Sequence, residues 1–69
     1  MTVNGEAISQ DQIDAGMAAM VGVFRAWDVR HALARAGVEN TDRTADRLLQ
    51  KARKLNAVKA VNNKVWKAL

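Results

Sequence analysis

Apolar residues in the first third of this chain recur at the spacing of a helix. From Ile13 onward they occupy positions i, i+4, i+7 and i+8, and an S-x-x-Q capping box that begins at Ser9 marks a helix start. Gly22 breaks the pattern. We therefore predict a first helix from about Gln10 to Val21, preceded by a loose lead-in over residues 1–8.

A second helix is predicted from about Ala26 to Ala36. Its apolar stripe includes Val29 and Leu33, and the glycine that follows, Gly37, is the residue type that commonly ends a helix in the left-handed conformation. Residues 23–25, between the first two helices, are predicted to form a short apolar connector or one brief strand.

A third helix is predicted to begin near Asp42, with Thr41 or Asp42 as its N-cap, and to end before Asn56, which can adopt the left-handed conformation. Its core-facing stripe consists of Ala45, Leu48, Leu49, Ala52 and Leu55.

The tail, residues 57–69, is rich in valine and has Asn62 and Asn63 in its middle, which indicates a β-hairpin. A two-residue loop would place Lys59 opposite Trp66. A three-residue loop instead separates one apolar face from one basic face, so we prefer that register. It pairs Val58 with Ala68, Lys59 with Lys67 and Ala60 with Trp66.

The composition fits one small globular domain, which we place at residues 9–69. The chain has 69 residues, of which 49% are hydrophobic and 26% charged. With no cysteine and one histidine, neither a disulfide framework nor an ordinary metal site is expected. The longest apolar run, residues 15–24, is about half of a membrane span, and no signal peptide is expected. A reducing, cytoplasmic setting fits these features.

Charge is distributed unevenly along the chain. Up to Gly22 there are three acidic residues and no lysine or arginine, whereas all eleven basic residues lie from Arg25 onward, together with four acidic ones. The basic part of the chain is therefore where a polyanion would bind.

The order of helix, short connector, helix, turn, helix and hairpin resembles the winged helix-turn-helix family over residues 9–69. The similar segments are Phe24 to Val38, Thr44 to Leu55 and the closing strand with Trp66. The resemblance implies a mainly α fold of three helices plus a two-stranded wing. It also implies that the third helix enters the major groove of DNA and that the wing touches the backbone or the minor groove.

On a helical wheel, four polar residues of the third helix lie opposite its apolar stripe: Arg43, Arg47, Gln50 and Lys54. Arginine and glutamine can each bind a base edge with two hydrogen bonds, and lysine more often neutralises phosphate. Thr44 is a candidate phosphate contact. The alternative is a solvated face without a ligand, but such a face normally mixes charge signs, and this stripe contains no acid.

The tip of the hairpin carries Asn62, Asn63 and Lys64, which are candidates to contact a phosphate or the minor groove. The alternative is that its lysines protect an edge strand from pairing with another chain.

Trp27 does not fit the apolar stripe of the second helix, because it lies opposite Val29 and Leu33. One interpretation is a surface for a protein partner or for a second copy of the chain. The other, which we favour slightly, is that Val3 or Ile8 of the lead-in covers it.

No catalytic set is visible, so the protein is expected to be neither an enzyme nor dependent on a cofactor. The preferred function is duplex DNA binding, as a small transcriptional regulator or DNA-organising factor. The alternative is a winged-helix protein–protein interaction module within a larger assembly.

Overall fold

Three helices and five short strands make up residues 1–69, all of which the computed structural model describes. In chain order they are β1 Thr2–Val3, β2 Glu6–Ala7, α1 Gln10–Ala18, β3 Val23–Phe24, α2 Ala26–Arg35, α3 Thr41–Lys54, β4 Val58–Ala60 and β5 Trp66–Ala68. The fold is thus mixed α/β, with a small antiparallel sheet beside the helices. None of the helices combines the length and the apolar character needed to cross a membrane.

The core lies where α1, α2 and α3 meet. Val29 and Leu33 of α2 and Leu48 of α3 are fully buried, as the apolar stripes predicted. Gly16 of α1 permits a close approach, because a Cβ at that position would lie 2.7 Å from Leu48 Cδ1 and 2.9 Å from Leu33 Cδ2. The absence of a side chain at Gly16 therefore sets how near α1 can sit to the other two helices.

The predicted capping box of α1 is confirmed. Ser9 Oγ accepts a hydrogen bond from the Gln12 N–H at 3.2 Å, and Gln12 Oε1 accepts one from the Ser9 N–H at 2.9 Å. The helix ends at Ala18 rather than at the predicted Val21. Its last turn tightens, with the Met20 N–H donating to the Met17 carbonyl at 3.0 Å, and this turns Met20 into the core.

The other two helices end one residue before the prediction, α2 at Arg35 and α3 at Lys54, and the residues expected to end them follow in the expected conformation. Gly37 has φ +90° and Asn56 has φ +57°, both in the left-handed region. After α2, the Val38 N–H donates to the Leu33 carbonyl at 3.0 Å, which is the closing bond of a Schellman motif. The start of α3 differs by one residue from the prediction, since Asn40 occupies the N-cap position.

The predicted register of the tail hairpin is confirmed: Val58 pairs with Ala68, Lys59 with Lys67 and Ala60 with Trp66. The expected two-stranded wing is, however, part of a three-stranded sheet of order β3-β5-β4. The connector before α2 supplies the extra strand, in which Val23 pairs with Lys67 and Phe24 with Trp66.

The expectation of a loose lead-in over residues 1–8 is wrong. These residues form an antiparallel hairpin, β1–β2, that turns at Asn4 and Gly5 with φ +48° and +84°. Asn-Gly is the residue pair that this kind of two-residue turn favours. Val3 and Ile8 are buried in the core, so the folded unit begins with this hairpin rather than at Ser9.

Candidate nucleic-acid interface

The outer side of α3 carries a continuous row of basic residues. Arg43, Arg47 and Lys54 are exposed and Gln50 is half-buried, on the side opposite the buried Leu48. The structure therefore brings together the four polar residues that were predicted to form one stripe. The exposed Lys51 lies beside this row, and we refer to these five residues as the basic face.

Lys51 was not predicted because it lies at the edge of the stripe, about 40° from Arg47 and about 60° from Lys54 on the wheel. Lys51 contributes to the wall of a shallow hollow of about 430 Å³. The hollow is lined by Met1, Arg47, Gln50, Lys51, Lys54 and Leu55. Three of these side chains are cationic and none is acidic. The charged side chains that line the hollow are therefore all of one sign.

Acidic residues of α3 lie on its other flank, away from Lys51. Asp42 forms an ion pair with Arg30 of α2, with 3.4 Å between Arg30 Nε and Asp42 Oδ1. This ion pair links the carboxylate of Asp42 to α2. Asp46 is exposed on the same flank. The Lys51 side of the basic face therefore has no carboxylate of α3 beside it.

Thr44 does not belong to the interface. Its side chain is fully buried, at 0% exposure, and its Oγ1 has no hydrogen-bond partner. The prediction of a phosphate contact is therefore wrong. Thr44 precedes Leu48 by four residues, which places both on the same side of α3, so the helical spacing contains the signal for its burial.

The three residues predicted to contact DNA at the wing tip, Asn62, Asn63 and Lys64, are all exposed. Asn62 Oδ1 accepts hydrogen bonds from the Lys64 N–H at 2.8 Å and the Val65 N–H at 3.0 Å, so this oxygen holds the turn together. The side-chain NH2 of Asn62, which is exposed and forms none of these bonds, is the group that stays available for the predicted contact. Asn63 and Lys64 are exposed, and Lys59 and Lys67 lie opposite each other on the exposed side.

Glu6 contacts the start of α3, although no pattern in the sequence predicted this. Its carboxylate accepts hydrogen bonds of 2.9 Å from the main-chain N–H groups of both Glu39 and Asn40, immediately before α3. A negative charge at this end of a helix is also favoured by the helix dipole. The N-terminal hairpin thereby helps to fix the position at which the basic helix begins.

Trp27 is exposed, at 58%, and it stacks on His31 with 5.0 Å between ring centroids. The favoured interpretation, in which the lead-in covers Trp27, is wrong because Val3 and Ile8 are used in the core. Trp27 instead borders a second hollow of about 410 Å³, lined by Val23, Phe24, Arg25, Trp27, Asp28 and Val65.

No family model, curated protein or solved structure matches this chain. Functional inference for the protein therefore rests on its own residues and their arrangement.

Proposed function

We propose that this protein binds duplex DNA with the basic face of α3. The observation that carries the proposal is the grouping of Arg43, Arg47, Lys51 and Lys54 on one exposed side without an acid among them. Side chains of this kind on one helix face suit a polyanion, because each neutralised phosphate releases condensed counterions. Duplex DNA is the polyanion whose major groove accepts a helix.

The two ends of α3 are proposed to have different roles. Arg43 and Arg47 lie in the first half of the helix, where a helix in the major groove meets base edges, and arginine can bind guanine O6 and N7 with two hydrogen bonds. Lys51 and Lys54 lie in the second half and would contact phosphates. Gln50, between them, can hydrogen-bond an adenine edge.

The tail hairpin is proposed to act as a wing. Asn63 and Lys64 at its tip would contact the backbone or the minor groove next to the site of α3. The order of helices and strands is the order that the winged helix-turn-helix resemblance implies, which supports this assignment. The corresponding biological role is that of a small transcriptional regulator or a DNA-organising factor.

A titration of fluorescently labelled duplex, followed by anisotropy, tests the proposal. Wild type is compared with Arg47→Ala and with the pair Arg43→Ala/Arg47→Ala. Arg35→Ala is the control, since it removes one exposed arginine from the end of α2. Loss of Arg47 should weaken binding by about tenfold or more, and the control should change it little.

Circular dichroism of each variant verifies that the fold is kept. Equal affinity of wild type and the double variant would remove α3 as the DNA-reading element. The protein–protein interaction module, for which the exposed Trp27 is the specific observation, would then be the better assignment.

A further inference from the structure

Away from the basic face, the structure exposes apolar side chains around the second hollow. Val23 is 69% exposed and Trp27 58% exposed, and the half-buried Val65 lies on the same hollow. We call these three residues the Trp27 surface. Exposed apolar groups gathered at one place on a small domain commonly mark an interaction surface.

The Trp27 surface adjoins an unpaired strand edge. The sheet has the order β3-β5-β4, so β3 is a terminal strand. The Ala68 N–H donates to the Gly22 carbonyl at 2.8 Å, which points that carbonyl toward β5. The Gly22 carbonyl and the Val23 N–H belong to one trans peptide group and point in opposite directions, so the Val23 N–H points away from β5. In an extended residue the N–H and the carbonyl point to the same side, so the Val23 carbonyl also points away from β5. One donor and one acceptor are therefore presented at this edge.

The charged groups beside the hollow have both signs. Arg25 and Asp28 flank Trp27 within one turn of α2. A strongly acidic or strongly basic partner would meet one like charge here. The two opposite charges balance each other within one copy, where Asp28 accepts a hydrogen bond from the Arg25 N–H, so two identical surfaces can meet without a net repulsion between them. The charge pattern thus fits a second copy of this chain.

We propose that the Trp27 surface is a self-association interface, in which two copies pack Trp27 and Val23 against each other about a two-fold axis. The Val23 main chains then exchange their N–H···O hydrogen bonds in an antiparallel pair, which joins the two small sheets edge to edge. Trp27 lies on the side of α2 opposite Val29 and Leu33, which pack on the core. Self-association therefore leaves the basic face free and does not depend on DNA binding.

Sedimentation equilibrium of the full chain without DNA, from about 5 µM to about 1 mM, measures the dissociation constant. The mass should rise from that of one chain toward that of two over this range. Trp27→Ser should raise the constant by about tenfold or more. Arg25→Glu, which leaves two carboxylates and no balancing cation at the hollow of each copy, should raise it by about fivefold or more.

Leu55→Ser is the matched control, because Leu55 is 67% exposed but lies at the end of α3, outside the Trp27 surface. This variant should dimerise like wild type. A wild-type chain that stays monomeric at about 1 mM overturns the proposal. So does a Trp27→Ser or Arg25→Glu variant whose constant stays within about twofold of wild type while circular dichroism shows a native fold.

Discussion

The carboxylate of Glu6 lies 2.9 Å from the main-chain nitrogen of Asn40, which donates a hydrogen bond to it. A second bond of equal length comes from Glu39. Two strands of two residues each would hardly be stable alone, yet this contact and the buried Val3 attach the N-terminal hairpin to the start of the basic helix. The geometry of the candidate interface therefore depends on residues outside it.

Glu6→Gln tests this attachment. Glutamine keeps the size of the side chain but loses the charge and one acceptor oxygen, so one of the two main-chain N–H groups loses its partner. We expect the free energy of unfolding in urea to fall by about 1–2 kcal/mol. Glu39→Gln, which alters an exposed carboxylate with no hydrogen bond to another side chain, is the control. Equal stability of the two variants would contradict the role assigned to Glu6.

Gly16→Ala should destabilise the protein although alanine favours helix. The new Cβ would meet Leu48 and Leu33, both fully buried, at less than 3.0 Å. Overpacking of this kind costs about 1–3 kcal/mol, more than the roughly 1 kcal/mol gained in helix propensity. Thermal unfolding followed by circular dichroism measures the difference. An increase in melting temperature would mean that α1 can move away from α3 without loss.

Thr44→Val should stabilise the protein by about 1 kcal/mol, because it replaces a buried hydroxyl without a partner by a methyl group of similar size. Affinity for duplex DNA should be unchanged, since the side chain is buried. Thr44→Ala provides the comparison: it also removes the hydroxyl but leaves a void, so it should be less stable than Thr44→Val. A loss of DNA affinity in Thr44→Val, at native fold, would restore Thr44 to the interface.

Leu48→Ala should lower the free energy of unfolding by about 2–5 kcal/mol, because Leu48 is fully buried between α1, α2 and α3. In a chain of 69 residues this is a large part of the total stability. Urea denaturation measures it, with Leu55→Ala at an exposed position as control. An unchanged midpoint for Leu48→Ala would place the core elsewhere.

The lysines and arginines of the basic face and the wing tip should differ in how they affect DNA binding. Lys54→Ala and Lys64→Ala should weaken binding to all sequences alike and lower the salt slope of the affinity by about 1 each. Arg47→Ala should cost roughly 1–3 kcal/mol at a preferred site and relax the preference at one base pair. Anisotropy titrations at several salt concentrations measure both. A slope unaffected by Lys54→Ala would exclude that lysine from phosphate contact.

Helical spacing was sufficient to predict three helices and most of their buried stripes, because each stripe is a local pattern that one helix face must bury. Val21 and Leu55, the last residues of the first and third stripes, are exposed instead, because the helices end before them. The hairpin register followed from separating an apolar face, with Ala60 and Trp66, from a basic face, with Lys59 and Lys67. The N-terminal hairpin escaped prediction because strands of two residues show no alternation. The Asn4-Gly5 turn was its one local signal.

Contacts between distant parts of the chain could not be read from local patterns. Nothing in the sequence links Glu6 to Asn40, which are separated by 34 positions. The same holds for Met1, which lines the hollow beside Lys51. The position of Trp27 on the outer side of α2 was predictable from the helical spacing. The exposure of its side chain was not, because it depends on Val3 and Ile8 packing in the core instead of on Trp27.

Arg30–Asp42 is the one ion pair among eleven basic and seven acidic residues, so ten of the basic side chains have no carboxylate partner and the chain keeps a net charge of +4. These cations repel one another, and dissolved salt relieves that repulsion by screening it. Added salt should therefore raise the free energy of unfolding of the free protein. The same salt should lower the affinity of the protein for a polyanion. In dilute buffer the polyanion would itself supply the missing countercharge, and the melting temperature would rise with its concentration.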